Sequence, residues 1–320
     1  MARVLVTGGA GFIGSHICDR LIKDGYEVIC YDNLLTGYKG NIQHLLNNQN
    51  FEFVNGDIRD KKLLSANMEL CSHVTHQAAL GSVPRSVKDP ITTNDINIQG
   101  SLNVLNEAKN NSIEKLVYAS SSSVYGDNLD MPKIENNTGR VLSPYAVTKS
   151  TIEDYSRVFN DTYGLKTIGL RYFNVFGPRQ SPEGAYAAVI PVFMEAIKNN
   201  QPPIIYGDGK QTRDFSYVRN IVNANMSSLF DDSPKAYGNA YNVACGETLS
   251  INELFLMIKQ IMTEMTGTKY NIEPKYGEKR EGDIRDSLAD LNNIRRDLNY
   301  APETYVAEGM RETIQWFLSL

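Results

Sequence analysis

The sequence has few of the residues that build disulfide frameworks and metal sites. Among its 320 residues are four cysteines and four histidines. The cysteines form no Cys-x-x-Cys pair and no cluster with histidine, and they lie singly at Cys18, Cys30, Cys71 and Cys245. A disulfide framework or a zinc site needs such groups close together in recurring spacings. We therefore expect no metal, and four cysteines that act as small buried hydrophobic residues.

Long apolar runs and an excess of positive charge are also absent. No apolar run approaches the roughly 20 residues of a membrane-spanning helix. Lysine and arginine total 32 against 37 acidic residues, a net charge of −5, which gives no general attraction to nucleic acid or to anionic membranes. The sequence begins with a strand-like segment at 3–6 instead of a charged and then apolar leader. We expect a soluble, cytoplasmic protein with no nucleic-acid or membrane partner.

The sequence does contain an alternation of short apolar runs with helical segments. Apolar residues make up 42% of the chain and charged residues 22%, which are ordinary values for a folded protein. Strand-like runs lie at 3–7, 27–31, 51–55, 73–76, 115–119 and 167–171, with segments of helical period between them. This pattern predicts an α/β fold, a Rossmann-type doubly wound parallel sheet with helices on both faces.

The sequence pattern changes after Gly177-Pro178, where prolines and glycines separate shorter predicted elements. A strand-like run at 240–244 is apolar enough to return to the first sheet. We therefore expect a cofactor-binding Rossmann domain over 1–177, rejoined by about 214–245. The rest, 178–213 and 246–320, is expected to form a smaller, interleaved C-terminal substrate lobe.

The segment 7–14, Thr-Gly-Gly-Ala-Gly-Phe-Ile-Gly, predicts a dinucleotide site. Three glycines allow a tight turn after the first strand, close approach of the backbone to a pyrophosphate, and close packing of the next helix. The pyrophosphate then faces the helix N-terminus. The residues expected to contact the cofactor here are Gly8, Gly11, Phe12, Ile13 and Gly14.

An acidic residue indicates which dinucleotide binds. Asp32 ends the second strand, 18 residues after Gly14. A carboxylate there accepts hydrogen bonds from the adenosine ribose and repels a 2′-phosphate, which favours NAD over NADP. The next residue, Asn33, is also expected to contact the cofactor and carries no positive charge that would reverse this preference. Asp57 and Ile58, after the third strand, are candidates to flank the adenine, with a simple helix cap as the alternative for Asp57.

A tyrosine and a lysine predict proton-transfer chemistry. Tyr145 and Lys149 are four residues apart, on one face of a helix. A free phenol has a pKa of about 10, and a nearby ammonium and a positively charged nicotinamide both favour its ionised form. Lys149 is also placed to hold the nicotinamide ribose.

Four consecutive serines, 120–123, follow a predicted strand. Hydroxyls at the carboxyl end of a parallel strand point into the ligand crevice. One or two of them are candidates to hydrogen-bond a reacting oxygen of the substrate.

Taken together, these residues resemble the extended short-chain dehydrogenase/reductase family, and within it the UDP-N-acetylglucosamine 4-epimerases. The resemblance covers essentially the whole chain. Beyond the glycine loop and the Tyr/Lys pair, it rests on His-Gln-Ala-Ala-Leu-Gly-Ser-Val-Pro-Arg-Ser at 76–86, Leu-Ser-Pro-Tyr-Ala-Val-Thr-Lys at 142–149, Arg-Tyr-Phe-Asn-Val-Phe-Gly at 171–177 and Arg-Glu-Gly-Asp-Ile-Arg at 280–285.

The resemblance implies a reaction without net oxidation. Tyr145 would take the proton of the sugar 4-hydroxyl while the hydride passes to tightly bound NAD, and the 4-keto sugar would rotate and take the hydride back on its other face. Ser121 and Ser122 match the serines that bridge the 4-oxygen, with the assignment open by one position. Further cofactor contacts are implied at Gln77, Ala78, Ala79 and Phe173.

The same resemblance implies a UDP site and a homodimer. Asn174, Arg213 and Arg280 match diphosphate contacts, and a planar guanidinium suits phosphate oxygens. For the two arginines, ordinary ion pairing with neighbours such as Asp214 is the alternative. Tyr206 matches a uracil-side contact and Asp283 a ribose contact. The dimer would form through helices at about 100–110 and 144–163.

Residues that match contacts to the sugar of the UDP-sugar indicate which sugar is bound. Ser287 aligns with a position where epimerases restricted to UDP-galactose carry a bulky tyrosine, and a small residue there leaves room for an N-acetyl group. The same subgroup resemblance extends to Gly81, Ser82, Ala188 and Val189. We therefore expect UDP-N-acetylglucosamine as substrate, with UDP-glucose and UDP-glucuronate as alternatives, the latter because Arg85 and Arg285 could meet its charge.

Other reactions remain as alternatives. A 4,6-dehydratase would carry an Asp-Glu pair after the catalytic hydroxyl, where this sequence has Ser122-Ser123. A net NAD-dependent dehydrogenase or reductase shares the fold and the Tyr/Lys pair. A non-catalytic NAD-binding protein is the third alternative, and such a protein would not need the combination of hydroxyl, phenol and ammonium.

Overall fold

The computed structural model describes residues 2–181, 188–279 and 285–320. Their strands are β1 (Arg3–Thr7), β2 (Glu27–Asp32), β3 (Phe51–Asn55), β4 (His73–His76), β5 (Lys115–Ser121), β6 (Lys166–Tyr172), β7 (Val175–Phe176), β8 (Ile204–Tyr206), β9 (Thr212–Arg213), β10 (Ser216–Tyr217), β11 (Asn239–Val243), β12 (Leu249–Ser250) and β13 (Lys275–Gly277). Seven of them form one sheet in the order β11-β6-β5-β4-β1-β2-β3, and every pairing in it is parallel.

Helices connect these strands. They are α1 (Phe12–Lys23), α2 (Lys61–Met68), α3 (Val83–Lys88), α4 (Pro90–Asn94), α5 (Ser101–Asn110), α6 (Pro144–Tyr163), α7 (Val189–Lys198), α8 (Val218–Phe230), α9 (Ile251–Thr266), α10 (Asn292–Leu298) and α11 (Val306–Leu318). A π-helical segment, Asp95–Gly100, joins α4 to α5, and short 3₁₀ segments lie at Lys39–Leu45, Ser122–Tyr125 and Pro234–Ala236.

The central sheet is buried on both faces. Successive residues of a strand point to opposite faces, so Val4 and Val6 of β1 enter one core while Leu5 enters the other. The first core includes Ile17 of α1 and Ile221 of α8, and the second includes residues of α2, α5 and α6. The prediction of a doubly wound Rossmann-type sheet is confirmed.

A third core lies outside the main sheet. It contains side chains of α7, α9 and α11, among them Phe193, Phe255 and Ile314, together with Ile205 of β8. The strand pairs β8–β13 and β9–β12 lie in this part of the chain. β11 returns to the main sheet and pairs with β6. The boundaries given above for the two lobes stay a prediction.

All four cysteines are buried and unpaired. Among the described residues, no three His, Cys, Asp or Glu side chains lie close enough together to hold a metal ion. Throughout the part of the chain that the structure describes, no helix combines the length and apolar character needed to cross a membrane.

Candidate active site

The glycine loop turns so tightly that neither Gly8 nor Gly14 can be replaced by a larger residue without a clash. Gly8 has φ +70°, and its N–H donates to the Tyr31 carbonyl at 2.9 Å. A Cβ on Gly8 would lie 2.6 Å from the Ala78 nitrogen, and one on Gly14 would lie 2.1 Å from the Gly8 carbonyl oxygen. Both obstacles are backbone atoms, so only glycine lets α1 pack directly on the turn.

The start of α1 leaves its backbone N–H groups available to an anion. Gly11 occupies the N-cap position, where no side chain caps the helix. The first N–H groups of a helix have no partner within the helix and attract negative charge. The side chains of Phe12 and Ile13 pack against the core of the second lobe. Any contact of these two residues with a pyrophosphate would therefore come from their backbone.

A pocket next to the loop collects most of the predicted adenosine contacts. Asp32 is only 7% exposed, and its carboxylate accepts hydrogen bonds from the Ala10 N–H at 3.0 Å and the Leu34 N–H at 2.8 Å. Burial raises the pKa of this carboxyl group, and the backbone donors lower it. The predicted cofactor residues that line the pocket are Gly8, Asp32, Asn33, Asp57, Ile58, Ala78 and Ala79.

Sequence reasoning overlooked one arginine near this pocket. Arg59 forms ion pairs with Asp57 at 2.8 Å and Asp95 at 2.6 Å. Its hydrogen bond lowers the pKa of Asp57 to about 2. Asn33 donates to the same Asp57 carboxylate at 2.9 Å. Because both acids already pair with Arg59, its charge is balanced locally and does not reverse the preference for NAD that Asp32 indicates.

The side chain of Gln77 belongs to a hydrogen-bond network behind the predicted cofactor site. Its amide donates to Thr75 at 2.9 Å and to Asn225 at 3.1 Å, and its oxygen accepts from the Tyr172 hydroxyl at 3.0 Å. The network joins β4, β6 and α8. Since the side-chain amide is used here, a cofactor contact of Gln77 would come from its backbone.

The structure separates the roles of the consecutive serines. The Ser120 hydroxyl donates to the Glu153 carboxylate and is almost fully buried. The Ser121 hydroxyl lies beside the Tyr145 phenol, whose pKa it lowers, and accepts from the Ser123 N–H at 3.1 Å. Ser122 begins the 3₁₀ turn that follows. Ser121 is therefore the serine beside the candidate base.

Tyr145 and Lys149 are positioned by the first turns of α6. Ser143 caps this helix by accepting from the Ala146 N–H at 3.2 Å, and Pro144 occupies its first position. The Lys149 ammonium lies 5.9 Å from the centre of the Tyr145 ring and donates to the Ala119 carbonyl at 2.7 Å. The helix thus places the phenol and the ammonium together at the end of β5.

Burial controls the ionisation of both groups. It raises the pKa of Tyr145, while the hydrogen bond from Ser121 lowers it. It lowers the pKa of Lys149 to about 8, against an opposing effect of the Glu153 carboxylate. The phenol consequently needs a further positive charge to serve as a base at neutral pH, and the oxidised nicotinamide would bring one.

A second cavity, of about 440 Å³, lies in the second lobe. Most of the residues that line it are apolar, and polar groups among them contribute to the walls, as in many ligand pockets. The structure brings four predicted substrate residues together in these walls: Asn174, Val189, Tyr206 and Arg213. Arg280 and Asp283 lie outside the described residues.

The other predicted contacts lie elsewhere. Phe173 is completely buried, with its ring centre 6.0 Å from that of Tyr125. Gly81 is exposed and Ser82 caps α3 with φ +111°. Ala188 is exposed and precedes α7. For all four, a role in binding stays a prediction.

The chain matches a known protein family over most of its length. Residues 4–244 match the family model described as the NAD dependent epimerase/dehydratase family. The chain belongs to this family.

Similar proteins cover nearly the full length of this enzyme. A curated relative from Methanocaldococcus jannaschii, named putative UDP-glucose 4-epimerase, is 41% identical over 98% of this chain and 97% of its own. A structure of UDP-N-acetylglucosamine 4-epimerase from Methanobrevibacter ruminantium, in complex with UDP-N-acetylmuramic acid, is 43% identical with a TM-score of 0.90, covering 99% of this chain and 98% of that one. A structure of Thermotoga maritima UDP-glucose 4-epimerase with UDP-glucose is 36% identical, with a TM-score of 0.90 and 99% coverage of both chains.

These comparisons confirm the predicted family, NAD as its cofactor, and an enzyme of the isomerase class. The glycine turn, the helix N-terminus and the Asp32 pocket of this epimerase fit a dinucleotide. The assignments of individual site residues, the cytoplasmic location and the homodimer stay predictions.

One acidic residue lies in an environment that the sequence did not indicate. Asp214, next to Arg213, was considered as a surface ion-pair partner, yet its side chain is completely buried. Its carboxylate accepts hydrogen bonds from the N–H groups of Cys245, Gly246 and Ala289. Those partners lie 31 or more residues away in the chain, so no local pattern indicated them.

Ser287 lies between two anchored positions. The Arg285 carbonyl accepts from the Thr212 N–H at 3.0 Å, and the Ala289 N–H donates to Asp214 at 3.2 Å. The segment between them is therefore held beside Arg213, which lines the cavity. Ser287 itself is half-buried.

Proposed function

We propose that the protein interconverts UDP-N-acetylglucosamine and UDP-N-acetylgalactosamine by NAD-dependent epimerisation at C4. The observation that carries the choice of sugar is the small Ser287 side chain on a segment anchored beside Arg213. A hydroxymethyl group at this position leaves volume for a substituent at C2 of the sugar, where a tyrosine ring would fill it.

Residues of this chain supply each part of the proposed reaction. A dinucleotide held by the glycine turn and the Asp32 pocket would supply the hydride acceptor for C4 and would allow return of the hydride to the opposite face of the sugar. Tyr145 takes the proton of the 4-hydroxyl and gives it back, and Ser121 holds the same oxygen by a hydrogen bond. Lys149 keeps positive charge close to the phenol. The atoms balance, because the proton and hydride that leave the sugar both return.

The cavity of the second lobe supports retention of the substrate during this cycle. The 4-keto sugar has to turn between the two hydride transfers without dissociating. On this proposal Arg213 and Asn174, which line the cavity, bind the diphosphate, and Tyr206 with the apolar side chains of the walls binds the uracil. The UDP part of the substrate does not react, but its binding energy keeps the sugar in the site while C4 reacts.

Epimerisation of UDP-glucose is the second candidate, and the names of the relatives from Methanocaldococcus jannaschii and Thermotoga maritima favour it. Dehydration is disfavoured because Ser122 and Ser123, and no acidic pair, follow Ser121 in the chain.

The direct test incubates the purified protein with UDP-N-acetylglucosamine, UDP-glucose and UDP-glucuronate separately and identifies the C4 epimers by NMR. We expect UDP-N-acetylgalactosamine from the first substrate. Conversion of UDP-glucose alone would refute the proposed sugar. Bound NAD in protein purified without added cofactor supports epimerisation, whereas a stoichiometric demand for added NAD indicates a dehydrogenase.

A substitution tests the argument from volume. Ser287→Tyr should abolish turnover of UDP-N-acetylglucosamine and retain turnover of UDP-glucose, if the latter is also a substrate. Ser319→Tyr makes the same change at an exposed site in the last residues of the chain and should alter neither rate. Equal loss on both sugars in Ser287→Tyr would contradict a role in sugar selection.

A further inference from the structure

Asp214 is a buried carboxylate with an unusual set of partners. Its Oδ1 accepts from the Cys245 N–H at 3.0 Å, and its Oδ2 accepts from the N–H groups of Gly246 at 3.1 Å and Ala289 at 3.2 Å. All three donors are backbone groups. Burial raises the pKa of Asp214 to about 7, while the three N–H groups oppose that rise. A carboxylate so placed connects chain segments that are distant in the sequence.

The segments that meet at Asp214 carry predicted UDP-sugar contacts. Asp214 directly follows Arg213 in the chain, and its backbone carbonyl accepts from the Asn174 side-chain amide at 3.1 Å. Its carboxylate reaches the turn after β11 through Cys245 and Gly246. Through Ala289, it also reaches the segment that contains Ser287.

The segment 285–289 is attached at its other end as well. Thr212 donates its N–H to the Arg285 carbonyl at 3.0 Å and its hydroxyl to the Asp286 carboxylate at 2.7 Å. The Arg213 guanidinium donates to the Arg285 carbonyl at 3.1 Å. Ser287 thus lies between an attachment to Thr212 and an attachment to Asp214, and both residues adjoin Arg213.

We propose that Asp214, together with Thr212, is a positioning residue that sets the placement of Ser287 and the sugar-side segment relative to Arg213 and Asn174 at the diphosphate. This inference rests on the proposed function of the cavity as a UDP-sugar site. Small displacements of groups that orient a substrate have large effects on binding and rate, so a fixed spacing matters here.

Asp214→Asn tests the proposal with little change in shape. The amide offers one oxygen to the three N–H groups and turns its own N–H₂ toward at least one of them, so a buried donor is left without an acceptor. We expect the Kd for UDP, measured by calorimetry, and the KM for the UDP-sugar to rise about tenfold, since one lost hydrogen bond of this kind corresponds to roughly that factor. We expect kcat to change less than about threefold and NAD binding to stay unchanged, since on this proposal the substitution acts on substrate binding.

Asp290→Asn is the matched control, because it makes the same change one residue after Ala289. The Asp290 carboxylate accepts from Asn292 at the start of α10. The Kd for UDP should equal that of the unaltered protein. A purely structural role of Asp214 would lower the thermal midpoint and the active fraction while leaving the Kd for UDP of the folded fraction unchanged, and that result would overturn the proposal.

Thr212→Val keeps the test decisive if Asp214→Asn does not fold. It removes only the hydroxyl bond to Asp286 and is expected to raise the Kd for UDP several-fold. An unchanged Kd would overturn the proposal. Failure of the proposed function would be seen separately, as absence of UDP binding by the unaltered protein.

Discussion

The Lys149 ammonium donates a hydrogen bond of 2.7 Å to the backbone carbonyl of Ala119, two residues before Ser121. This bond joins helix α6 to the end of strand β5. It fixes the lysine within 5.9 Å of the Tyr145 ring centre while the hydroxyl of Ser121 contacts the phenol. The three groups that the proposed chemistry needs are thus held by two elements of the main lobe before any ligand binds.

Tyr145→Phe removes the proposed base and preserves the ring. We expect kcat to fall by about 10²–10⁴, the usual contribution of a positioned acid or base. Binding of UDP and NAD should persist, because the ring still fills its place. Steady-state kinetics and calorimetry measure the two effects. Tyr155→Phe, farther along the same helix and partly exposed, is the control and should keep the full rate; a fully active Tyr145→Phe would exclude Tyr145 as the base.

Glu153→Gln weakens a buried ion pair under the active site. The Glu153 carboxylate pairs with Arg171 at 2.8 Å, accepts from Ser120, and raises the pKa of Lys149. Removing one partner of a buried pair leaves an uncompensated charge, so we expect a loss of about 3 kcal/mol in the free energy of unfolding. Urea denaturation measures it. The pKa of Lys149 should also fall further below about 8, which moves the alkaline loss of activity to lower pH.

Asp154→Asn provides the contrast at the next position. Asp154 pairs with Arg157 at 3.5 Å on the exposed side of the same helix. Its substitution should change the unfolding free energy by no more than about 0.5 kcal/mol. Equal losses of unfolding free energy in Glu153→Gln and Asp154→Asn would show that the buried pair stabilises the fold no more than the exposed pair does.

Gly14→Ala tests the contact between α1 and the glycine turn. The new Cβ would lie 2.1 Å from the Gly8 carbonyl oxygen, a backbone atom that can move only if the turn opens. We expect loss of bound NAD, read from the absorbance of the purified protein and from added-cofactor titrations. Gly40→Ala introduces a Cβ with no atom of the described residues within 4 Å, and this variant should bind NAD normally. Normal NAD binding by Gly14→Ala would contradict the close packing.

The buried His16 side chain is expected to make the fold less stable at acidic pH. Burial lowers its pKa from 6.5 to about 4 in the folded protein. Between these values the unfolded chain binds more protons at this site, so the free energy of unfolding decreases as pH falls from about 6.5 toward 4. His16→Gln lacks this titration, and its unfolding free energy should decline less steeply over that window.

Denaturant midpoints at several pH values between 7 and 4.5 give the comparison. His44→Gln, at an exposed histidine, is the control and should not show the shallower decline. The same pH dependence in His16→Gln and the unaltered protein would mean that His16 is not neutral in the fold.

The features that the sequence predicted well are those with local geometry. Gly8 and Gly14 lie in the predicted tight turn and Asp32 at the end of the second strand, so their spacing was sufficient to predict these positions, while their contacts with a cofactor stay predictions. The assignment among the serines was not local, because it depends on which hydroxyl meets Tyr145 and which meets Glu153, a residue 33 positions from Ser120. The environment of Asp214 was not indicated by the sequence for the same reason, since burial is created by segments far away in the chain.

The late return of β11 to the sheet has a consequence for synthesis of the protein. The nascent chain leaves the ribosome N-terminus first. Strand β6 therefore emerges well before β11 (Asn239–Val243), which pairs with it at the edge of the sheet. Until that neighbour arrives, β6 presents a free strand edge, which is a site for mispairing with other chains. Chains that terminate anywhere between residues 173 and 238 would keep this edge open, and we expect them to depend on chaperones for solubility.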